Sequence, residues 1–139
     1  MQAKDVMTTR PDYLNADVSI RQVAEQMHNS GSGFEPLVRG SNVEGVLTDR
    51  DIAVRAVAAG RNPEDKAIDI ATQGALYTFS DTDLVDVLKN MQEQKVQRLL
   101  VLNNPDDKDL EGIITVGDIA TRCQEEDVAR EVVNCAKHY

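Results

Sequence analysis

The sequence predicts a mixed α/β (α+β) fold made of two copies of one β-α-β-β-α unit, and three observations carry that prediction. The phrase VEGVLTDRDIAVR, starting at Val43, returns as LEGIITVGDIATR, starting at Leu110. The stretch from Asp5 returns from Asp69: Asp5, Thr8, Tyr13, Asp17, Val23 and Met27 are matched by Asp69, Thr72, Tyr77, Asp81, Val87 and Met91, at a constant offset of 64. Both copies also run through the same order of helix-like and strand-like spacing, which makes the repeat structural and not a coincidence of composition. At Gly45 and Gly112 the offset has grown to 67, so the added residues fall in loops.

Within the first copy, Ile20, Val23, Ala24 and Met27 lie at i, i+3, i+4 and i+7, one apolar face of a helix. Ser19 followed three residues on by Gln22 reads as its capping box. A strand is expected over Phe34–Arg39, with Pro36 marking it as an edge strand or the site of a bulge. The turn GSN then leads to a strand over Val43–Leu47. A second helix follows through IAVRAVAAG, with Gly60 placed to end it and Pro63 to prevent its resumption. In the second copy Leu84, Val87, Leu88 and Met91 repeat the helical face, and strands are expected over Arg98–Leu102 and Leu110–Ile114, joined by the longer turn NNPDDKD. The divisions predicted are 1–63 for the first repeat, 64–126 for the second and 127–139 for a C-terminal amphipathic helix. That last helix carries Val128, Val132 and Cys135 or Ala136 on one face, suited either to the chain's own core or to a second subunit. One repeat is too small to bury its helices and sheet alone. Two packed face to face, sharing one core, account for the duplication.

Composition narrows the function classes. With 139 residues, 41% apolar and 28% charged, the chain reads as soluble and globular. A net charge of −9 disfavours nucleic acid and anionic membrane as partners. No signal-like or membrane-spanning run occurs, and Cys123 and Cys135 make no disulfide framework, so a cytoplasmic protein with reduced thiols is expected. Twelve residues apart on one helix, those thiols would stand too far apart to bridge. SGSG from Ser30 lacks the third glycine and the following helix of a dinucleotide loop, and NNPDDKDLE lacks the glycine and register of a calcium loop. Asp49 and Asp51 point apart as i and i+2 on a helix, and His28 suits a helix C-terminal end. No nucleophile, base and metal-ligand constellation assembles, so the chain reads as a non-enzyme that requires no cofactor and no metal.

The chemistry that remains is in the repeated phrase. Thr48 and Asp51 stand three apart at a strand-to-helix junction, and Thr115 and Asp118 repeat the arrangement. Unpaired N–H groups at a helix start attract anionic groups, and a carboxylate accepts the two hydrogen bonds that a ribose diol offers. The same residues in the same places serve equally as helix caps. Gly45 and Gly112 allow neighbouring backbone to come close.

The order of elements, closing twice on hydrophobic-Gly-hydrophobic-hydrophobic-Thr-x-x-Asp in EGVLTDRDI and EGIITVGDI, resembles the CBS domain, and two such repeats resemble a Bateman module. The resemblance covers essentially the whole chain from Asp5 through the helix after Asp118. It implies a pseudo-twofold module whose inter-repeat clefts take adenosine compounds such as AMP, ATP or S-adenosylmethionine. On that resemblance Asp51 with Thr48, and Asp118 with Thr115, hold ribose or phosphate. Arg98 matches a phosphate-reaching basic residue, where the first copy has Phe34 and Glu35. Thr78 matches a further contact, where the first copy has Leu14. The function implied is a regulatory sensor acting through a protein partner or through self-assembly, most simply as a disc-like homodimer. The alternative is a scaffold module that binds no nucleotide.

Overall fold

The structure is a computed structural model and describes residues 1–9, 11–73 and 76–136. In chain order it contains α1 (Ala3–Val6), β1 (Thr8–Thr9), β2 (Leu14–Asn15), α2 (Ile20–Ser30), β3 (Phe34–Arg39), β4 (Asn42–Thr48) and α3 (Asp49–Asp51), which runs directly into a π-helix (Ile52–Val57). A 3-10 turn (Ala67–Asp69) is followed by β5 (Tyr77–Phe79), α4 (Leu84–Gln94), β6 (Arg98–Leu102), β7 (Leu110–Thr115), α5 (Val116–Arg122) and α6 (Glu126–Ala136). The mixed α/β class is as the sequence predicts. No helix among the described residues is long and apolar enough to cross a membrane. His138 lies outside the described residues.

The chain forms two compact units that do not follow the order of the repeats. Unit 1 joins Met1–Pro11 to Leu76–Tyr139, and unit 2 is Asp12–Ala75. The leading segment of each repeat therefore folds with the strands and helices of the other. Unit 1 has a sheet in the order β1-β7-β6-β5, and unit 2 has β2-β3-β4. A lone bridge between Val46 and Thr72 supplies in unit 2 the position that β1 holds in unit 1. In both, the strand before the long helix (β2 or β5) runs parallel to the strand after it (β3 or β6), which forms an antiparallel hairpin with the next (β4 or β7).

Each unit buries its own helix-side core. Ala16, Ile20, Val23, Leu37 and Leu47 are central to unit 2, while Leu84, Leu88, Met91, Leu99, Ile114 and Ile119 are central to unit 1. Ser19 caps α2 by the expected reciprocal bonds with Gln22, 3.1 and 2.9 Å. Gly31 ends that helix in the left-handed region at φ +75°, and Lys95, 64 residues on, ends α4 at φ +58°. Gly60, also left-handed, follows the π-helix.

Two details decide between alternatives that the sequence leaves open, and a third corrects it. Pro36 is in a central strand, beside a bulge between Leu37 and Val38. It is tolerated because its antiparallel partner Val46 directs both its N–H and its C=O to Thr72, at 2.9 Å each, and β2 reaches only Leu37 and Val38. The C-terminal helix lies along α4 of its own unit. Gln92 Nε2 donates to Glu131 Oε2 at 2.6 Å, the Cys135 thiol donates to the Leu88 carbonyl at 3.5 Å, and Val128 and Cys135 are buried. Finally, the two cysteines are not on one helix. The chain leaves α5 at Cys123 in an extended conformation, and both thiols are free and buried in the unit 1 core. Burial pushes the Cys135 thiol above its ordinary pKa, away from the reactive thiolate.

Candidate functional site

Each unit presents one strand-to-helix corner, and the repeated phrase builds it. At the end of β4, Thr48 is extended and caps α3: its Oγ1 accepts from the Asp51 N–H at 3.1 Å, and Asp51 Oδ2 accepts from the Thr48 N–H at 3.0 Å. At the end of β7, Thr115 Oγ1 accepts from the Asp118 N–H at 2.9 Å and Asp118 Oδ2 from the Thr115 N–H at 3.1 Å. Both pairs are thus complete capping boxes, satisfying two backbone donors that a helix start otherwise leaves unpaired. The capping role uses only Oδ2. Each carboxylate keeps Oδ1 as an acceptor, and Asp51 is only 8% exposed.

The glycine of the phrase is where another stretch of backbone arrives. A Cβ at Gly45 would stand 3.1 Å from the Ala71 Cβ and 3.2 Å from the Thr72 carbonyl oxygen. One at Gly112 would stand 2.6 Å from the Thr8 carbonyl oxygen and 2.7 Å from the Met7 sulfur. Thr8 and Thr72 are equivalent positions, so both leading segments cross the same glycine. In unit 2 the Thr72 hydroxyl also approaches Asp51 Oδ2, at 3.5 Å.

Strand register decides which other expected residues join the corners. Arg98 lies directly opposite Thr115, and Phe34 directly opposite Thr48. Leu100 sends its N–H to the Leu76 carbonyl, away from β7, so Leu100, and Arg98 two residues before it, form the narrow, non-hydrogen-bonded kind of pair, with Cβ atoms about 4.5–5.5 Å apart. Arg98 therefore stands beside the Thr115–Asp118 box, and its counterpart beside Thr48 is an aromatic ring. Glu35, which the sequence placed with Phe34, points the other way. Strand alternation sets it with Leu37 and Leu47 on the helix side, 2% exposed, where the Ser30 hydroxyl donates to its Oε1 at 3.2 Å. Burial there pushes its pKa up, the Ser30 bond partly opposes that, and the field of Asp12 adds to the rise. Thr78, buried on β5, pairs in parallel register with Val101 and so shares the helix-facing side of the unit 1 sheet, opposite to Arg98.

The sequence reading missed two residues at these corners. Arg55 and Arg122 close the repeated phrase in both copies, and each reaches a backbone carbonyl of the leading segment in its own unit: Ile70 at 3.2 Å and Val6 at 2.8 Å. Their matched place at the end of the phrase was the signal available.

Known proteins place this architecture. The sequence profile of the CBS domain matches residues 3–57 and 67–125. The CBS domain-containing protein YhcV of Bacillus subtilis is 27% identical over 135 residues, covering 97% of this chain and 94% of its own. Among solved structures, the CBS domain protein PAE2072 from Pyrobaculum aerophilum, complexed with AMP, is 20% identical and superposes with a TM-score of 0.80, over 96% of this chain and 98% of its own. The CBS domain pair of protein MJ0100, in complex with 5'-methylthioadenosine and S-adenosyl-L-methionine, is 24% identical with a TM-score of 0.76, over 87% and 94%. At those identities the two structures share the fold. The chain belongs to the CBS-domain family, and its two repeats form a tandem CBS pair.

Proposed function

We propose that this CBS pair is a regulatory sensor of adenosine compounds, of the class of AMP, ATP or S-adenosylmethionine, and that it acts in the cytoplasm without catalysis. The observation that carries the reading is the spare oxygen: in each capping box the aspartate keeps Oδ1, next to a backbone-crossed glycine, at a corner suited to a ribose diol. Binding of AMP by PAE2072, and of 5'-methylthioadenosine and S-adenosylmethionine by MJ0100, supports the choice of ligand class. In this reading Asp118 and Asp51 hold ribose, Thr115 and Thr48 orient them, and Arg98, opposite Thr115, favours a phosphorylated ligand in its own corner. Thr78, on the helix side, enters only as a residue supporting the strand. The net charge of −9 argues against nucleic acid and anionic membrane as partners.

The test uses Asp118→Asn. The amide keeps an acceptor for the Thr115 N–H and puts an NH2 donor where Oδ1 was, so the cap survives while the diol loses its acceptor. Calorimetry with AMP is expected to show affinity falling about 10- to 100-fold, the worth of a charge-assisted hydrogen bond, with the melting temperature unchanged. Unchanged affinity removes Asp118 from the ribose site.

A scaffold that binds no nucleotide is the second reading, favoured by one observation: the four reciprocal bonds within the two Thr–Asp boxes are all capping bonds. A thermal-shift screen with AMP, ADP, ATP, S-adenosylmethionine and NAD separates the two. A bound ligand at a hundredfold excess over Kd adds about 2.7 kcal/mol of stability, whereas the scaffold gives no shift with any of them.

Output is assigned to a protein partner or to self-assembly as a homodimer. On unit 2 a groove between α2 and the π-helix, lined by Ile20, Ala24, Ile52, Ala56 and Val57, is the apolar surface proposed for the second copy. A symmetric interface there should bury more than about 1,000 Å². Light scattering that finds a monomer at micromolar concentration refutes the dimer.

A further inference from the structure

The repeated phrase ends in arginine both times, four residues past each aspartate. Arg122 Nη1 donates to the Val6 carbonyl at 2.8 Å and lies 3.5 Å from that of Met7. Arg55 Nη1 donates to the Ile70 carbonyl at 3.2 Å. Val6 and Ile70 are the same position in the two leading segments, 64 residues apart. Each guanidinium therefore ties a leading segment to the helical stretch that opens with the Thr–Asp box of its unit.

On the aspartate side the two arginines differ. Arg55 Nε stands 3.8 Å from Asp51 Oδ1, the oxygen that the capping box leaves over. Asp118 has no ion pair among the described residues, and Arg122 is directed at Val6 and Met7. The winding differs as well: Arg55 lies in the π-helix and Arg122 at the end of a regular α-helix. Short π-helical stretches inside helices recur at functional positions.

We infer that Arg55 is a positioning residue that gates the unit 2 corner and couples it to the leading segment. A diol hydroxyl donating to Asp51 Oδ1 takes the oxygen that faces the guanidinium. Turning the guanidinium away releases its hold on the Ile70 carbonyl, two residues before the Thr72 backbone bonds to Val46. The corner with Asp51 is consequently the weaker of the two for adenosine, and its filling is reported by residues 64–73. This inference rests on the adenosine reading above. The guanidinium is half exposed, and pairs of that kind shift an equilibrium by a factor of about two to five.

The experiment isolates the unit 2 corner in an Asp118→Asn background and compares it with Asp118→Asn/Arg55→Met, which keeps the aliphatic stem and removes the charge. Calorimetry with adenosine, which carries no phosphate, is expected to show two- to fivefold tighter binding in the double variant. Amide exchange at Thr72 should already be fast in the double variant without ligand, and should quicken in the single variant when adenosine saturates it. Adenosine affinity that is unchanged or weaker in the double variant overturns the gate while the sensor stands. AMP binding that weakens while adenosine binding holds also overturns it, by making Arg55 a phosphate ligand. A double variant that binds no adenosine while the parent does has the same force. A parent protein silent to both compounds removes the adenosine reading itself, and the gate with it.

Discussion

In unit 1, α6 lies along α4 and sends Val128 and Cys135 into the core. In unit 2 the matching helical face carries an open groove, and Val57 on its wall is 74% exposed. The strand hairpins, the glycine crossings, the capping boxes and the arginine ties occur in both units, whereas among the described residues a covering helix occurs in one alone. Duplication conserves what a single repeat needs for its own backbone. The outer helical face carries no such requirement, so it is where the two halves are free to diverge, one closed by its own chain and the other left as a surface.

The largest effect expected of that difference comes from one charge placed on each face. Val128→Asp buries a carboxylate without a partner and should destabilise unit 1 by more than about 3 kcal/mol, read from the urea midpoint. Val57→Asp should stay within about 0.5 kcal/mol for the monomer and dissociate the proposed dimer. Comparable destabilisation by the two would mean that the groove is closed in solution.

Next comes the crossing glycine. Gly112→Ala pushes a methyl group against the Thr8 carbonyl at 2.6 Å, while Gly45→Ala meets its nearest neighbours at 3.1 and 3.2 Å. We expect a cost of about 3 kcal/mol for the first, the upper end of overpacking penalties, and about 1 kcal/mol for the second. Equal costs would show that β1 can shift on β7.

The buried carboxyl gives an effect that depends on pH. Glu35 occupies the place that Leu99 fills in unit 1. Its folded pKa is raised from the ordinary 4.5, chiefly by burial, so the folded state holds the proton more tightly than the unfolded chain. Stability from this group is present below the unfolded pKa and is lost as pH rises through the folded one. Glu35→Leu should therefore stabilise the protein by about 1–3 kcal/mol at pH 7, with the gain shrinking at pH 4. A gain independent of pH would assign the effect to packing.

The smallest expected difference lies at the paired helix ends. Lys95 adopts the left-handed conformation that Gly31 adopts without a side-chain penalty. Lys95→Gly should gain about 0.5–1 kcal/mol, and Gly31→Ala should lose a similar amount.

Much of this was legible from residue order. The strands over Phe34–Arg39 and Arg98–Leu102 are legible because a short, largely apolar stretch runs into turn residues at Gly40 and at Asn103. The strands expected over Val43–Leu47 and Leu110–Ile114 run on to Thr48 and Thr115, since those threonines belong to both strand and cap. The π-helix after Asp51 leaves no mark in the sequence, because its hydrogen-bond shift requires no special residue type. The break at Cys123 has neither glycine nor proline to announce it. Glu35 adjoins Phe34 in sequence, yet the two-residue period of a strand sets it on the opposite face. The exchange of leading segments could not be read from the repeat, since a segment at offset 64 fits either partner equally well by sequence.

That exchange has a consequence in time. Unit 2 is continuous from Asp12 to Ala75, so all of it can be present early in synthesis. Unit 1 needs Met1–Pro11 to meet strands that lie beyond the 64 residues of unit 2. At roughly 5–20 residues per second, the leading segment waits about 3–13 s for unit 2 alone to be made. Throughout that interval Ala3 and Val6, fully buried in the finished protein, have no core to enter. A nascent chain halted once Ala75 has left the ribosome should therefore already protect unit 2 from protease while Met1–Pro11 is still cut, and a segment made before unit 2 is enclosed after it.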